Sequence, residues 1–135
     1  MQQEFERNLT SLESVFEFVK EFFSKESVDA SHRYAVDLAV EEIFTNMVKY
    51  SPEGRQDIVI QLEKRDHCLE VRLTDFDVES FDPTQAPEVA IHSPIEERTP
   101  GGLGLHLIRK LFDTMEYEYI DRRSRIILKK NLKVT

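Results

Sequence analysis

Apolar residues along the chain recur with two spacings, one helical and one alternating, and these divide it into elements. Gln2 to Asn8 reads as a short edge strand. From Leu9 to Phe23 the apolar positions are Leu9, Leu12, Val15, Phe16, Val19, Phe22 and Phe23, the stripe of an amphipathic helix capped by Thr10 or Ser11. Its aromatic content reads as core packing rather than as a cofactor site. A second helix opens near Asp29 or Ser31 and ends by Ser51, because Pro52 disfavours helical geometry in the residue before it. Val36, Val40, Ile43, Phe44 and Met47 form its apolar face. Glu42 and Asn46 lie one turn apart along the flank of that face, with the small Ala35 and Ala39 above them and Tyr50 below. Helix geometry alone favours a solvated pair; the position at the core's edge, beside small residues that leave room, also suits a site.

Pro52-Glu53-Gly54 makes a turn, and two alternating stretches follow: Ile58, Ile60, Leu62, then Leu69, Val71, Leu73, joined through Arg65-Asp66-His67 as a hairpin. Continuing the period of two puts Asp75 on the same face as Leu73. A carboxylate there needs a donor, from the protein or from a ligand, unless the strand ends early and leaves it in solvent. Residues 77–100 show no periodicity and hold four of the five prolines, which suggests a lid or binding loop. Gly101, Gly102 and Gly104 then account for three of the four glycines and lead directly into a helical run of Leu105, Leu107, Ile108, Leu111, Phe112 and Met115. A glycine-led helix start offers free N–H groups and a close backbone approach, suited to an anion such as phosphate; the alternative is a tight loop that lets a helix pack closely. No Lys-Ser/Thr follows as a P-loop requires, and Leu107 stands where a dinucleotide fold has its third glycine. Met115, Tyr117 and Tyr119 alternate, Asp121 to Ser124 turns, and Ile126 with Leu128 gives a last strand. Two hairpins and three helices make an α+β sandwich, an antiparallel sheet covered on one face.

Length and composition narrow the function classes. The 135 residues fit one domain with a real core, and 40% hydrophobic with 33% charged residues argues against disorder across the chain. A net charge of -8 disfavours nucleic acid or anionic membranes as the main partner, although a nucleotide can bind through a divalent cation. Cys68 is the single cysteine, so an internal disulfide and a cysteine-cluster zinc site are excluded. With no apolar run of membrane-spanning length, the chain reads as cytoplasmic. His32, His67, His92 and His106 are scattered and suggest neither a metal cluster nor a phosphorelay.

Three of these stretches together resemble the ATP-binding domain shared by DNA gyrase, histidine kinases and MutL repair proteins, the GHKL superfamily. Glu41 to Tyr50 resembles its helical asparagine box, Asp75-Phe76-Asp77 its aspartate box, and Gly101-Gly102-Leu103-Gly104-Leu105 its second glycine box, in the expected order and spacing over residues 29–132. The short length and the Gly-Gly-Leu-Gly-Leu…Phe-Asp pattern are most similar to the anti-sigma-factor serine/threonine kinases of bacterial partner switching. The fold so implied is a two-layer α/β sandwich of the Bergerat type, its sheet mixed but mostly antiparallel, with 77–100 as ATP lid. Implied cofactors are ATP and Mg²⁺. The resemblance gives Glu42 the role of general base and Asn46 that of Mg²⁺ ligand. It gives Asp75 a hydrogen bond from the adenine amino group. Gly101, Gly102, Leu103, Gly104 and Leu105 would cradle the phosphates, and Arg98 would offset charge on the γ-phosphate. The implied partner is an anti-anti-sigma-type antagonist protein, with a sigma factor as second candidate, and dimers are implied as well.

Two positions depart from the family pattern. Asp77 stands where a glycine is usual, adding a Cβ and a negative charge that weaken ATP affinity or shift its pose. Arg123-Ser124-Arg125 replaces a glycine and a small polar residue near the last strand, which places Arg125 as a candidate to offset Asp77. Glu42 with Asn46 favours a kinase that phosphorylates a small antagonist protein. Asp77 favours the alternative, a nucleotide-sensing or nucleotide-free module that sequesters a partner. A sensor histidine kinase is disfavoured, since the stretch before the second helix leaves no room for a dimerising helix pair.

Overall fold

The computed structural model describes residues 1–50, 56–78 and 102–132. Its alternating stretches form five strands: β1 (Gln2–Phe5), β2 (Ile58–Arg65), β3 (Cys68–Asp75), β4 (Thr114–Ile120) and β5 (Arg123–Asn131). They build one sheet in the order β1-β2-β3-β5-β4, and every pairing is antiparallel. The register aligns Ile60 with Leu73 and Leu73 with Ile126, and Leu62 with Val71 and Val71 with Leu128. These fully buried side chains make one continuous apolar face.

Among the described residues three helices cover that face: α1 (Leu12–Lys25), α2 (Arg33–Tyr50) and α3 (Gly102–Leu111). Helix α2 packs against β3 with α1 and α3 as neighbours. All five apolar residues expected on its inner face are buried. Ala35 and Ala39 are buried too, so the space expected beside them is filled by close packing, with small side chains letting the layers approach. Burying each of Val36, Val40, Ile43, Phe44 and Met47 contributes about 1.5–3 kcal/mol, so the inner face of α2 is a substantial source of stability.

The helix starts differ from the reading of the sequence. Asn8, not Thr10 or Ser11, caps the chain's entry, its Oδ1 accepting from Thr10 N at 3.0 Å over a short 3-10 turn (Leu9–Ser11). Ser11 Oγ donates instead to Glu6 O at 2.9 Å. The extra turn rotates the α1 stripe: Phe18 enters the core and Leu9 is exposed. Phe18 then meets Phe5 edge to face, with centroids 5.6 Å apart, and ties the edge strand β1 to the helix layer. Asp29 caps a second 3-10 turn (Ala30–His32) that leads into α2, accepting from Ser31 N at 2.8 Å.

Both hairpins close tighter than expected. Asp66-His67 joins β2 to β3, with Asp66 at φ 54°. Asp121-Arg122 joins β4 to β5, both residues at positive φ, so β5 begins at Arg123. No described helix is long and apolar enough to cross a membrane. The Pro52-Glu53-Gly54 turn and all of the expected lid after Val78 lie outside the described residues.

Candidate functional site

Helix α2 carries two of the candidate polar groups. Asn46 is buried, at 6% exposure, one turn beyond the half-buried Glu42. Glu42 reaches to α3: a Cβ built on Gly104 would lie 2.4 Å from Glu42 Cδ and 2.6 Å from Oε2. Gly104 therefore serves close approach, since only a residue without a side chain admits the Glu42 carboxylate against the first turn of α3. Glu42 Oε1 is buried and has no hydrogen-bond partner among the described residues. Burial raises the pKa of this carboxyl above its ordinary value, the charge of Glu41 adds to the rise, and Lys49 opposes it. A carboxyl with an unpartnered oxygen and a raised pKa, next to a helix N-terminus, is equipped to accept a proton.

Gly102 and Leu103 form the start of α3, whose first N–H groups lack internal partners, as at any helix N-terminus. Leu105 is different: its side chain is in the core, which leaves only its backbone for a ligand. At its other end α3 is closed by Lys130, whose Nζ donates to Leu111 O at 2.7 Å and lies 5.8 Å from the Phe112 ring centroid. Gly101 and Arg98 lie outside the described residues.

Asp75 is on the buried face at the end of β3, 1% exposed, as the period of two requires. Its donor is Arg7, a residue that the sequence did not single out. The guanidinium forms a two-pronged ion pair with the carboxylate, Nη2 to Oδ1 and Nη1 to Oδ2, the latter at 3.2 Å. Nη1 also donates to Met47 O at 3.1 Å. Met47 belongs to the last turn of α2, where carbonyls lack internal partners and the helix dipole favours a cation. Arg7 thus joins the exit of β1, the end of β3 and the turn of α2 that bears Asn46. With Arg7 and Asp75 68 positions apart in sequence, no local pattern marks the pair; the one legible signal was that Asp75 lacked a donor.

Asp77 takes φ 54°, the left-handed backbone that glycine favours and aspartate tolerates. Its charge is met by Arg122, not by Arg125: Arg122 Nε donates to Asp77 Oδ1 at 2.9 Å, between largely exposed side chains. Arg125 lies on the outer face of the sheet and donates to Thr74 Oγ1 at 3.2 Å. Val78 N donates to Arg122 O at 2.9 Å and Tyr119 Oη to Val78 O at 2.7 Å, so the chain leaving the aspartate box is pinned to the β4–β5 turn.

Two hollows among the described residues lie away from these groups. A groove of about 900 Å³ runs between β1 and α1, past Gln3, Glu17 and Phe18. A cleft of about 460 Å³ opens on the outer face of the sheet, around Gln61, Thr74 and Arg125. Neither is lined by Glu42, Asn46 or Asp75. No group of three or more His, Cys, Asp or Glu side chains suited to a metal occurs among the described residues. Asn46 offers an amide oxygen, the kind of hard donor that Mg²⁺ takes alongside phosphate oxygens and water. The free N–H groups at the start of α3 and the amide oxygen of Asn46 are groups of the kind that a nucleotide's phosphates and their cation take, so the residues fit one. Asp75, to which the resemblance gives the base, is already engaged by Arg7.

Comparison with known proteins bears on the family and the fold. No curated protein matches the chain significantly. Among solved structures, the Acinetobacter baumannii histidine kinase AdeS is similar in fold, with a TM-score of 0.55 and 14% identity over 99% of this chain and 68% of that one. The family model of the histidine kinase-like ATPase domain matches residues 5–130. That span runs from the last residue of β1 to the penultimate residue of β5 and takes in α1, α2, α3, β2, β3, β4 and the three polar motifs, and the chain belongs to the histidine kinase-like ATPase domain family.

Proposed function

We propose that the chain is an ATP- and Mg²⁺-dependent protein serine/threonine kinase that phosphorylates a small antagonist protein and thereby switches the partner it holds. The observation that carries this reading is the Glu42 carboxylate, with one oxygen buried and unpartnered among the described residues, lodged against Gly104 in the first turn of α3. ATP would supply the phosphoryl group, and Mg²⁺ would offset the charge on its oxygens. Asn46 would hold that ion through its amide oxygen. Gly102, Leu103, Gly104 and Leu105 would present backbone to the phosphates at the start of α3, after Gly101. Glu42 would take the proton of a seryl or threonyl hydroxyl as it attacks, and Arg98 would offset charge on the γ-phosphate. The anti-anti-sigma-type antagonist and a sigma factor are the partners this reading implies, and the resemblance that supports it also implies a dimer.

The test is transfer of labelled γ-phosphate to a candidate antagonist protein. Glu42→Ala should abolish transfer and spare ATP binding; equal loss of both contradicts the general-base role. A second reading, a module that sequesters a partner without chemistry, is favoured by the Arg7–Asp75 ion pair. Under that reading the chain captures its partner equally well with and without ATP.

A further inference from the structure

We propose that Arg7 is a gate on base recognition, a side chain of this chain's own that a purine must displace before Asp75 can read it. The inference rests on the nucleotide reading above. Both oxygens of Asp75 are engaged by the Arg7 guanidinium, and both side chains are almost fully buried. A base amino group is a neutral donor, whereas the guanidinium makes charge-assisted bonds about twice as strong. With the fork in place Asp75 is 1% exposed, so a base amino group has no open approach to the lone pairs that remain on it. Arg7 also holds Met47 O, so its withdrawal frees the end of α2 beside Asn46 as well.

The mount of Arg7 suits a part that moves. It sits between a four-residue edge strand and a 3-10 turn, and β1 pairs with β2 alone. Local contacts shape the turn: Asn8 N to Glu6 O at 2.7 Å, Ser11 N to Asn8 O at 3.0 Å and Ser11 Oγ to Glu6 O. Edge segments of this kind open at low cost relative to the core. Because coupling is reciprocal, a nucleotide that displaces Arg7 loosens the turn, and a partner that docks on and orders the turn weakens nucleotide binding by the same factor.

Titration of the full chain with ATP and Mg²⁺ tests this, comparing wild type, Arg7→Gln, Arg7→Lys and Asp75→Asn, with amide exchange followed at residues 6–11 of the wild type. Arg7→Gln should bind about tenfold more tightly than wild type or better, since the weaker competitor is more easily displaced. Arg7→Lys should fall between them, and Asp75→Asn should lose binding. Exchange at residues 6–11 should rise when ATP is added. Equal or weaker binding by Arg7→Gln, with Asp75→Asn still deficient, overturns the gate and leaves the nucleotide site standing. Absence of binding by every form, Arg7→Gln included, overturns the nucleotide reading and the gate with it. Should Arg7→Gln fail to fold, wild-type exchange decides: unchanged or slower exchange at residues 6–11 on ATP binding overturns the gate.

Discussion

Glu42 and Gly104 work as one device. The glycine has no side chain because the carboxylate occupies the space where its Cβ would be, and the carboxylate is partly dehydrated because the helix lies against it. Gly104→Ala should therefore change stability by no more than about 1 kcal/mol, since alanine is the better helix former and the atom it displaces ends a flexible side chain. If Glu42 is the proposed general base, the same substitution should cut phosphoryl transfer by at least about tenfold, read from initial rates, because misplacing a base by a fraction of an ångström is costly. The raised pKa of Glu42 sets the sign of its pH dependence. Near and above the ordinary value of 4.5 the folded state binds this proton more tightly than the unfolded chain. Its stabilising contribution is thus complete in acid and is lost as pH rises through the folded pKa. Glu42→Gln, which stays neutral, should gain stability over wild type at pH ~7 and not at pH ~3, as read from urea midpoints. Transfer should run the opposite way, falling on acidification as the base is protonated. The sequence placed Glu42 and Asn46 one turn apart, but not the meeting of Glu42 with Gly104, because that contact depends on how closely α2 and α3 pack.

At the scale of elements, period predicted most of the architecture. Ile58, Ile60, Leu62, Leu69, Val71 and Leu73 all face the core, and extending their alternation by one step placed Asp75 correctly. Where the reading slipped, local hydrogen bonds or turn chemistry decided the outcome. Asn8 capped a 3-10 turn that no hydrophobic pattern announces, and the α1 stripe shifted from Leu9 to Phe18. The β4–β5 turn lacks glycine, so its tightness was hidden until Asp121 and Arg122 were seen at positive φ. The pairing of Asp77 with Arg122, in place of Arg125, follows from that turn. Because both side chains are largely exposed, the pair contributes little. Asp77→Gly should change unfolding free energy by less than about 1 kcal/mol, since glycine suits the left-handed backbone and an exposed ion pair is worth about 0–1 kcal/mol. A larger loss in chemical denaturation would give Asp77 a structural role that its exposure does not suggest.

Across the whole molecule, the sheet, the three helices and the polar motifs are held in one frame by contacts distant in sequence. The Arg7–Asp75 pair spans 68 residues and joins the first strand to the third and to the end of α2. Its full removal in Arg7→Ala leaves a buried carboxylate without its charged partner, which should cost about 3–5 kcal/mol of stability by denaturant unfolding. Arg7→Gln should cost less, since its amide still donates one hydrogen bond to Asp75. Such a pair was beyond sequence reading, because nothing local to Arg7 distinguishes it from a solvated surface arginine. The fold was readable because family motifs lie on elements that their own periodicity defines. On the function proposed, Asn46 on α2 and the glycine-led start of α3 form one magnesium-dependent nucleotide site. The most direct measurement is a calorimetric titration of the purified chain with ATP, with and without Mg²⁺, repeated on Asn46→Ala. The account predicts binding that requires Mg²⁺ and is lost in the variant; no binding at ATP concentrations on the order of millimolar, or equal binding by Asn46→Ala, would contradict it.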